Sequence, residues 1–192
     1  MPSINLEFLN ILQNDYKNYP NFIESGTYMA ETVMALEQYF SNLYTIEIKK
    51  EFYENTKNKY KGDKIHFYLG DSGTVLGEIL PNINGKSILF LDGHWSAGNT
   101  GKGEKKDCPL YEELTSIITH HKDDAIIIID DVKLFGMGPN NKNKYDICNW
   151  EDINVENILK IVKGRITNHY FLPSQLDKQD RLLIHISKKT GF

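Results

Sequence analysis

Short apolar runs alternate with segments of helical periodicity along most of this sequence of 192 residues. Two of the runs, SILFL at 87–91 and AIIII at 125–129, are almost entirely apolar, which is typical of parallel strands that are buried on both faces. Strand-like runs also occur near 21–26, 43–48 and 64–69, and a helical segment follows each of them. This alternation predicts an α/β fold with a mostly parallel sheet and helices on both faces.

The two ends of the sequence depart from that alternation. Residues 170–172 and 182–186 have the composition of two strands, and the connection between them is too short for a crossover, so we expect an antiparallel pair. The apolar spacing between 3 and 19 predicts an amino-terminal helix that stops before Pro20. We therefore predict one domain over residues 1–192, with a seven-stranded sheet that ends in an antiparallel hairpin.

Composition and charge narrow the class of protein. Hydrophobic residues make up 40% of the chain and charged residues 25%, which is ordinary for a soluble globular domain. The net charge of −4 gives no basic field that would attract nucleic acid or an anionic membrane. The first residues lack a basic and apolar secretory leader, and Cys108 and Cys148 form no CxxC pair, so we expect a cytoplasmic protein with free thiols.

Acidic residues stand at or beside the carboxyl ends of all five predicted parallel strands. They are Glu24, Glu47, Asp71, Asp92 and the pair Asp130–Asp131. Ligands of open α/β sheets bind outside the carboxyl ends of the strands, so we expect these acids to surround a binding site. Each acid alone also has a structural explanation, because loop acids are common and Asp71 is a favoured N-cap for the next helix.

Three motifs carry a resemblance to a known superfamily. FIESGTYMAET at 22–32 resembles the opening of class I S-adenosylmethionine-dependent methyltransferases close to macrocin O-methyltransferase and cephalosporin hydroxylase-like proteins. LDGHWS at 91–96 and CPLYEEL at 108–114 resemble runs in bacterial members of the same group. The resemblance covers nearly the whole chain and implies a Rossmann-like fold. Tyr28 and Ala30 stand where the fuller family pattern has further glycines.

The resemblance also implies a role for each strand end. In the family, the loop after the first strand contacts the methionine part of S-adenosylmethionine, the second-strand acid binds the ribose, and the third-strand acid contacts the adenine. The matching residues are Glu24, Gly26, Thr27 and Tyr28 for the methionine part, Glu47 for the ribose, and Asp71 with Ser72 for the adenine. Asp92, after the fourth strand, is expected to contact the cofactor as well.

Two further expectations concern the chemistry beside the cofactor. Carboxylates from neighbouring strand ends can hold Mg²⁺, which prefers oxygen ligands, so Asp92, Asp130 and Asp131 are predicted to meet at one ion. Such an ion would bind and orient the acceptor hydroxyl, as the resemblance to catechol-type and macrocin-type enzymes implies. His94 is the predicted general base, with Asp92 as a second catalytic residue. The polar, glycine-containing loop at 93–107 is expected to be mobile and to order over the site.

The function predicted from these motifs is methyl transfer from S-adenosylmethionine to a hydroxyl of a small molecule or glycan, with or without Mg²⁺. Nucleic acid and membranes are not expected as partners, and a homodimer stays open. Two alternatives also stay open. One is an enzyme of the same fold with a different, hydroxylase-like reaction, and the other is a non-catalytic protein that binds the cofactor.

Overall fold

The structure is a computed structural model that describes residues 3–95, 98, 100–103, 106–140, 148–174 and 177–190. Its strands are β1 (Asn21–Ser25), β2 (Asn42–Glu47), β3 (Ile65–Leu69), β4 (Ser87–Leu91), β5 (Ala125–Ile129), β6 (Ile166–Leu172) and β7 (Arg181–Ile186). They form a seven-stranded sheet in the order β3-β2-β1-β4-β5-β7-β6. The first five strands pair in parallel, and β7 runs antiparallel to both β5 and β6. This confirms the predicted fold class, including the antiparallel hairpin at the end.

Helices cover both faces of the sheet. The α-helices of the described residues are α1 (Leu6–Asn10), α2 (Glu31–Leu36), α3 (Lys50–Lys59), α4 (Ser72–Ile79), α5 (Leu110–His120) and α6 (Val155–Val162). Successive strand residues point to opposite faces, so Phe22 of β1 belongs to the core formed with α1 and α2, and Ile23 to the core formed with α4, α5 and α6. No helix in the described part of the chain is long and apolar enough to cross a membrane.

The register of the central strands brings their carboxyl ends to the same level. Ser25 at the end of β1 pairs with Leu91 at the end of β4, and Leu91 pairs with Ile129 at the end of β5. The residues that follow these strands therefore leave the sheet at one common edge, which we call the carboxyl edge. This alignment places the predicted site residues of different strands within reach of one another.

The amino-terminal segment is not the long helix predicted over 3–19. It contains only α1 and a 3₁₀ turn at Tyr16–Asn18. The side chain of Asn5 caps α1, and the side chain of Asp15 caps the 3₁₀ turn. Asn and Asp side chains compete for backbone hydrogen bonds in this way and interrupt a helix. The apolar spacing reflects burial of the segment against the sheet, where Leu12 is covered although it lies outside both helical pieces.

Two other elements differ in length from their predictions. The helix predicted from about Tyr28 to Phe40 is represented by α2 and a 3₁₀ turn at Glu37–Tyr39, because Tyr28 and Ala30 adopt left-handed conformations with φ of 44° and 60°. Strand β6 begins at Ile166 and is longer than the predicted 170–172. Its first half was missed because it is a polar, exposed edge with no apolar pattern.

The two cysteines are free and buried. Burial raises the pKa of the Cys108 thiol to about 12. Because the thiolate is the reactive form, this thiol is inert at neutral pH.

Candidate active site

A cavity of ≈ 700 Å³ opens at the carboxyl edge of the sheet. Small-molecule sites typically have volumes of about 300–1,000 Å³. The predicted site residues that line the cavity are Gly26, Tyr28, Glu47, Asp71, Ser72, Asp92 and His94. The predicted residues that do not line it are Glu24, Thr27, Asp130 and Asp131. The ends of β1, β2, β3 and β4 therefore contribute to one cavity, and the end of β5 lies beside it.

Gly26 brings the loops after β1 and β4 into contact. It adopts a left-handed conformation with φ of 86°, and a Cβ at this position would collide with the carbonyl oxygen of Asp92. Its N–H donates to the carbonyl oxygen of Ile46 at 2.9 Å, which ties the loop to β2. The packing of the cavity wall therefore requires glycine here, whatever ligand the cavity holds.

Glu47 is held at the cavity wall by two backbone donors. Its Oε2 accepts a hydrogen bond from the N–H of Tyr28 at 2.8 Å, and its Oε1 accepts one from the N–H of Lys49 at 2.8 Å. The residue is only 4% exposed, so the carboxylate is fixed in position. A carboxylate oxygen can accept more than one hydrogen bond, so both oxygens can still accept from ligand hydroxyls.

Glu24 and Thr27 belong to a buried polar cluster behind the cavity wall. Oε2 of Glu24 accepts from the hydroxyl of Thr45 at 2.9 Å, and that hydroxyl is 2.6 Å from the hydroxyl of Thr27. Burial raises the pKa of Glu24 well above its usual range, the Thr45 hydrogen bond opposes the shift, and the charge of Asp92 adds to it. Neither residue lines the cavity, and their contact with the cofactor stays a prediction.

Asp71 both caps a helix and lines the cavity. Its Oδ1 accepts from the N–H of Gly73 at 3.0 Å, which is the capping role that the sequence left open. The following residue, Ser72, begins α4 and lines the cavity too. The structural and the binding interpretations of Asp71 are therefore compatible.

Glu113 is a buried acid that the sequence prediction missed. It is 2% exposed, and burial raises its pKa although the hydroxyl of Ser72 opposes the shift. Its Oε1 has no hydrogen-bond partner among the described residues. The sequence does indicate that Glu113 is unusual, because it lies in the apolar stripe of α5 with Leu110, Leu114 and Ile117. A charged residue in such a stripe indicates a special environment.

His94 lies between two carboxylates. Its Nε2 is 2.9 Å from Oδ2 of Asp131 and 3.5 Å from Oδ1 of Asp92. The ring packs edge-on against Trp150, with a centroid distance of 4.4 Å and an interplanar angle of 75°. Its side chain is 7% exposed. The imidazole is therefore oriented from both sides and nearly excluded from bulk water.

These contacts shift the protonation of the imidazole and its partners. Burial opposes protonation of His94, but the hydrogen bond to Asp131 and the charge of Asp92 outweigh it, so the pKa of His94 is raised. Burial also opposes ionisation of Asp131, yet His94 and Lys133 lower its pKa to about 2. For Asp92, burial dominates and raises the pKa. The site thus favours an ion pair of His94 and Asp131.

Asp130 does not meet Asp92 and Asp131 at one point as predicted, although it lies within 4.8 Å of Asp131. Its Oδ1 accepts from Nε of Arg181 at 3.2 Å. The same guanidinium donates to the carbonyl oxygen of Ser3 at 2.8 Å and lies 4.8 Å from the ring centroid of Phe8. Asp130 is thereby directed toward the amino-terminal segment. The expectation that Asp92, Asp130 and Asp131 converge on one point is therefore corrected.

Potential metal ligands come within 4.8 Å of one another in two groups of described residues. One group is Asp92, His94 and Asp131, and the other is Asp130, Asp131 and Asp180. Both oxygens of the shared residue, Asp131, are already engaged, Oδ2 by His94 and Oδ1 by the ammonium of Lys133. Mg²⁺ prefers octahedral oxygen ligands and would meet an imidazole or an ammonium instead. The side chains in this arrangement do not fit Mg²⁺.

Described residues of the loop after β4 line the cavity, whereas positions 96, 97, 99, 104 and 105 of the predicted mobile loop lie outside the described residues. Gly101 lines the cavity and packs so closely on the end of β2 that a Cβ would collide with Ile48. At the base of the loop, the N–H of Trp95 donates to the carbonyl oxygen of Asp107 at 2.7 Å. Nζ of Lys102 is 3.1 Å from Oδ1 of Asp107 and 4.2 Å from the Trp95 ring centroid. This position is suitable for a lid, and its mobility stays a prediction.

Comparison with solved structures identifies the fold. The O-methyltransferase TomG from Streptomyces achromogenes, involved in tomaymycin synthesis and solved with S-adenosylmethionine, matches with a TM-score of 0.61 and 15% identity over 90% of this chain and 75% of that one. An S-adenosylmethionine-dependent methyltransferase from Clostridium acetobutylicum matches with a TM-score of 0.51 and 13% identity, over 88% of this chain and 84% of that one.

The same fold also occurs in a protein that is not named as a methyltransferase. Spermidine synthase from Thermotoga maritima matches with a TM-score of 0.53 and 11% identity, over 90% of this chain and 54% of that one. No protein-family model matches the sequence, and a search of curated proteins finds no match. The sheet order, the helices on both faces and these structural matches agree, and the chain has the fold of the class I S-adenosylmethionine-dependent methyltransferases.

Proposed function

We propose that this chain is an S-adenosylmethionine-dependent methyltransferase that acts on a hydroxyl of a small molecule or glycan. The observation that carries the proposal is that a fixed acceptor carboxylate, Glu47, and an oriented imidazole, His94, lie on the wall of one cavity. Solved structures of the same fold support the cofactor. Because a spermidine synthase shares the fold, the reaction itself must be argued from the side chains.

The cofactor is proposed to lie along the ends of β1, β2 and β3. Glu47 accepts hydrogen bonds from the ribose hydroxyls, and its two backbone donors hold it ready for them. Asp71 and Ser72 contact the adenine at the start of α4. The loop at Gly26 and Tyr28 faces the methionine part, where the absence of a Cβ at Gly26 lets the backbone approach closely. Asp92 and His94, which line the same cavity, would then be the residues nearest to the reacting atoms.

The reaction is an in-line displacement. When bound, S-adenosylmethionine would supply the methyl group: the acceptor oxygen would bond to the methyl carbon as the carbon–sulfur bond breaks, and the sulfur would leave as an uncharged thioether. At a pH above its raised pKa, the ring of His94 is neutral and takes the proton of the acceptor hydroxyl. With Nε2–H donating to Asp131, the basic nitrogen is Nδ1, and Asp131 and Asp92 then stabilise the imidazolium. General base catalysis of this kind contributes about 10²–10⁴-fold to a rate.

Cofactor binding is the first test of this proposal. Calorimetry with S-adenosylmethionine and its demethylated product should show binding that Glu47→Ala weakens by roughly 1–3 kcal/mol, the scale of lost hydrogen bonds in a buried site. Glu51→Ala is a matched control, because Glu51 is an exposed acid on the neighbouring α3. If the wild type binds neither compound at millimolar concentration, the proposal is wrong.

Methyl transfer is the second test. Labelled S-adenosylmethionine is incubated with panels of hydroxyl, amine and RNA acceptors, and incorporation is counted for the wild type. We expect incorporation into hydroxyl compounds. Incorporation into amines alone would keep the cofactor part of the proposal and contradict the acceptor part. Tight cofactor binding without transfer to any class would favour the non-catalytic alternative.

A further inference from the structure

A lysine lies between carboxylates next to His94, at the end of β5. Nζ of Lys133 pairs with Oδ1 of Asp131 and lies 2.7 Å from Oδ2 of Asp180. The side chain of Asp180 is 1% exposed, and its Oδ2 also accepts from the hydroxyl of Ser174 at 2.6 Å. We call Asp130, Asp131, Lys133 and Asp180 the Lys133 cluster. It lies beside the cavity and contains the Asp131 oxygen that is not bonded to His94.

The backbone holds the Lys133 cluster together. Asp131 adopts a left-handed conformation with φ of 55° and begins a 3₁₀ turn at Val132–Leu134. The N–H of Val132 donates to the carbonyl oxygen of Asp180 at 2.9 Å. The N–H of Lys133 donates to the side-chain Oδ1 of Asp180 at 3.4 Å. Both the backbone and the side chain of Lys133 thus bind the same acid. The ammonium is fixed between the two carboxylates.

Electrostatics explains why a cation belongs at this point. Oxygen atoms of Asp130, Asp131 and Asp180 lie within 4.8 Å of one another. Carboxylates at such a distance repel unless a proton, a metal ion or a basic side chain compensates them. Arg181 compensates Asp130, and Lys133 compensates the other two. The positive charge that a divalent ion would bring to these acids is already supplied by the chain.

We infer that Lys133 takes the place of a divalent cation at the end of β5, so that the site works without a metal ion. Its ammonium binds Oδ1 of Asp131, and Oδ2 of the same carboxylate holds Nε2 of His94 at 2.9 Å. Lys133 is therefore a positioning residue for the base. That last step rests on the proposed function, whereas the occupied cation position rests on the contacts of Lys133 alone. The inference replaces the metal-assisted reaction that the sequence suggested.

The test measures metal binding to the purified protein without any cofactor. Thermal unfolding and calorimetry are recorded with EDTA and with Mg²⁺, Mn²⁺, Ca²⁺ or Zn²⁺. The wild type should show no binding heat and no shift in Tm. Lys133→Met removes the ammonium and leaves three neighbouring acids, so we expect a lower Tm that Mn²⁺ or Mg²⁺ raises by at least about 2–4 °C. Adding Asp131→Asn to this variant should abolish the rise.

Two controls separate this effect from general charge loss and from a failure to fold. Lys86→Met breaks an exposed pair with Asp124, with an Nζ–Oδ2 distance of 2.8 Å, and should create no response to metal. Lys133→Arg keeps the charge and should stay insensitive to metal. If Lys133→Met does not fold, the wild-type titration alone still decides, because saturable binding of a divalent ion there overturns the inference. A folded Lys133→Met without any metal response also overturns it.

Turnover then tests the positioning role. Lys133→Met should lower kcat by about tenfold in EDTA with the KM for the cofactor unchanged, and Lys133→Arg should restore most of it. A kcat equal to the wild type in Lys133→Met contradicts the positioning role. If the wild type binds a metal ion and also binds the cofactor, the inference fails and the proposed function stands. If it binds neither, the proposed function fails and the assignment of Lys133 stands.

Discussion

Buried charged groups have different kinds of partner at the two ends of the parallel strands. At the edge where the strands begin, the guanidinium of Arg165 donates to the backbone carbonyls of Ser187, His121 and Asp123 at 2.8, 2.6 and 2.8 Å. At the carboxyl edge, ionisable groups face one another, as His94 does with Asp131. Backbone carbonyl oxygens accept the hydrogen bonds of the guanidinium and do not titrate themselves. Facing ionisable groups instead shift each other's protonation, which is what proton transfer requires.

His121 and His94 show the same contrast. His121 at the first edge is fully buried, and neither ring nitrogen has a hydrogen-bond partner among the described residues. Burial lowers the pKa of His121, although the backbone of Asp124 opposes the shift. For His94, the acidic partners outweigh burial and raise the pKa. Burial alone therefore does not indicate a catalytic histidine, and the partners decide.

Replacing the two histidines should give the largest difference between the edges. His94→Asn is expected to lower kcat by about 10²–10⁴-fold, because the proton acceptor is lost, while calorimetry shows an unchanged Kd for the cofactor. His121→Leu, at the opposite edge, is expected to leave kcat unchanged. Equal effects of both substitutions on kcat would contradict the proposal that His94 is catalytic and His121 is structural. Full activity of His94→Asn would exclude His94 as the base.

Loss of Arg165 should show the converse pattern. Arg165→Met removes the donor of four backbone carbonyl oxygens, those of Ser187, His121, Asp123 and Ile118. We therefore expect the free energy of unfolding to fall by about 3 kcal/mol, on the scale of unsatisfied buried groups. Urea titration measures this loss, and calorimetry should find the cofactor Kd unchanged in the folded protein. A weakened cofactor affinity at full stability would show that the two edges are coupled. Arg181→Met is unsuitable as the control because its guanidinium contacts Asp130.

The smallest expected effect is an opposite pH dependence of stability at the two histidines. The raised pKa of His94 means that its contribution to stability is present below the usual value of 6.5 and is lost as pH rises through its folded pKa. The lowered pKa of His121 means that the unfolded chain binds the proton first, so stability is lost as pH falls below 6.5. Urea titrations of His94→Asn and His121→Leu across pH should differ from the wild type with opposite slopes.

Activity should follow the same protonation of His94. Because the base must be neutral, kcat/KM is expected to rise with pH, with a midpoint above 6.5. A midpoint below this value would contradict the raised pKa of His94 in the free enzyme. The profile of His121→Leu serves as the control and should match that of the wild type.

Two strands that are buried on both faces are predicted from the sequence to the exact residue. Strands β4 and β5 begin and end at the predicted residues, because runs buried on both faces admit few polar residues and their ends are visible in the sequence. The strand ends in turn located the cavity, because parallel strands finish at one edge. The position of Glu47 at the cavity wall could be predicted for the same reason, since Glu47 is the last residue of β2.

The orientation of side chains after the strands was not predictable in this way. Asp130 and Asp131 are neighbours in sequence, yet the left-handed turn at Asp131 directs one toward Arg181 and the other toward His94. Their partners lie 51 and 37 residues away along the chain. Lys133 carried no sequence signal of its role, because a single lysine after a strand is ordinary. Long-range pairing of this kind emerges only when the whole sheet is assembled.

Arg181 has a consequence for protein engineering. Its guanidinium joins the carboxylate of Asp130 to the carbonyl oxygen of Ser3, and the N–H of Ser3 donates to the hydroxyl of Thr32 at 3.0 Å. Substitutions at or near Ser3 therefore act a few hydrogen bonds from Asp130, beside the proposed active site. Libraries that vary the first ten residues should be scored by turnover as well as by expression.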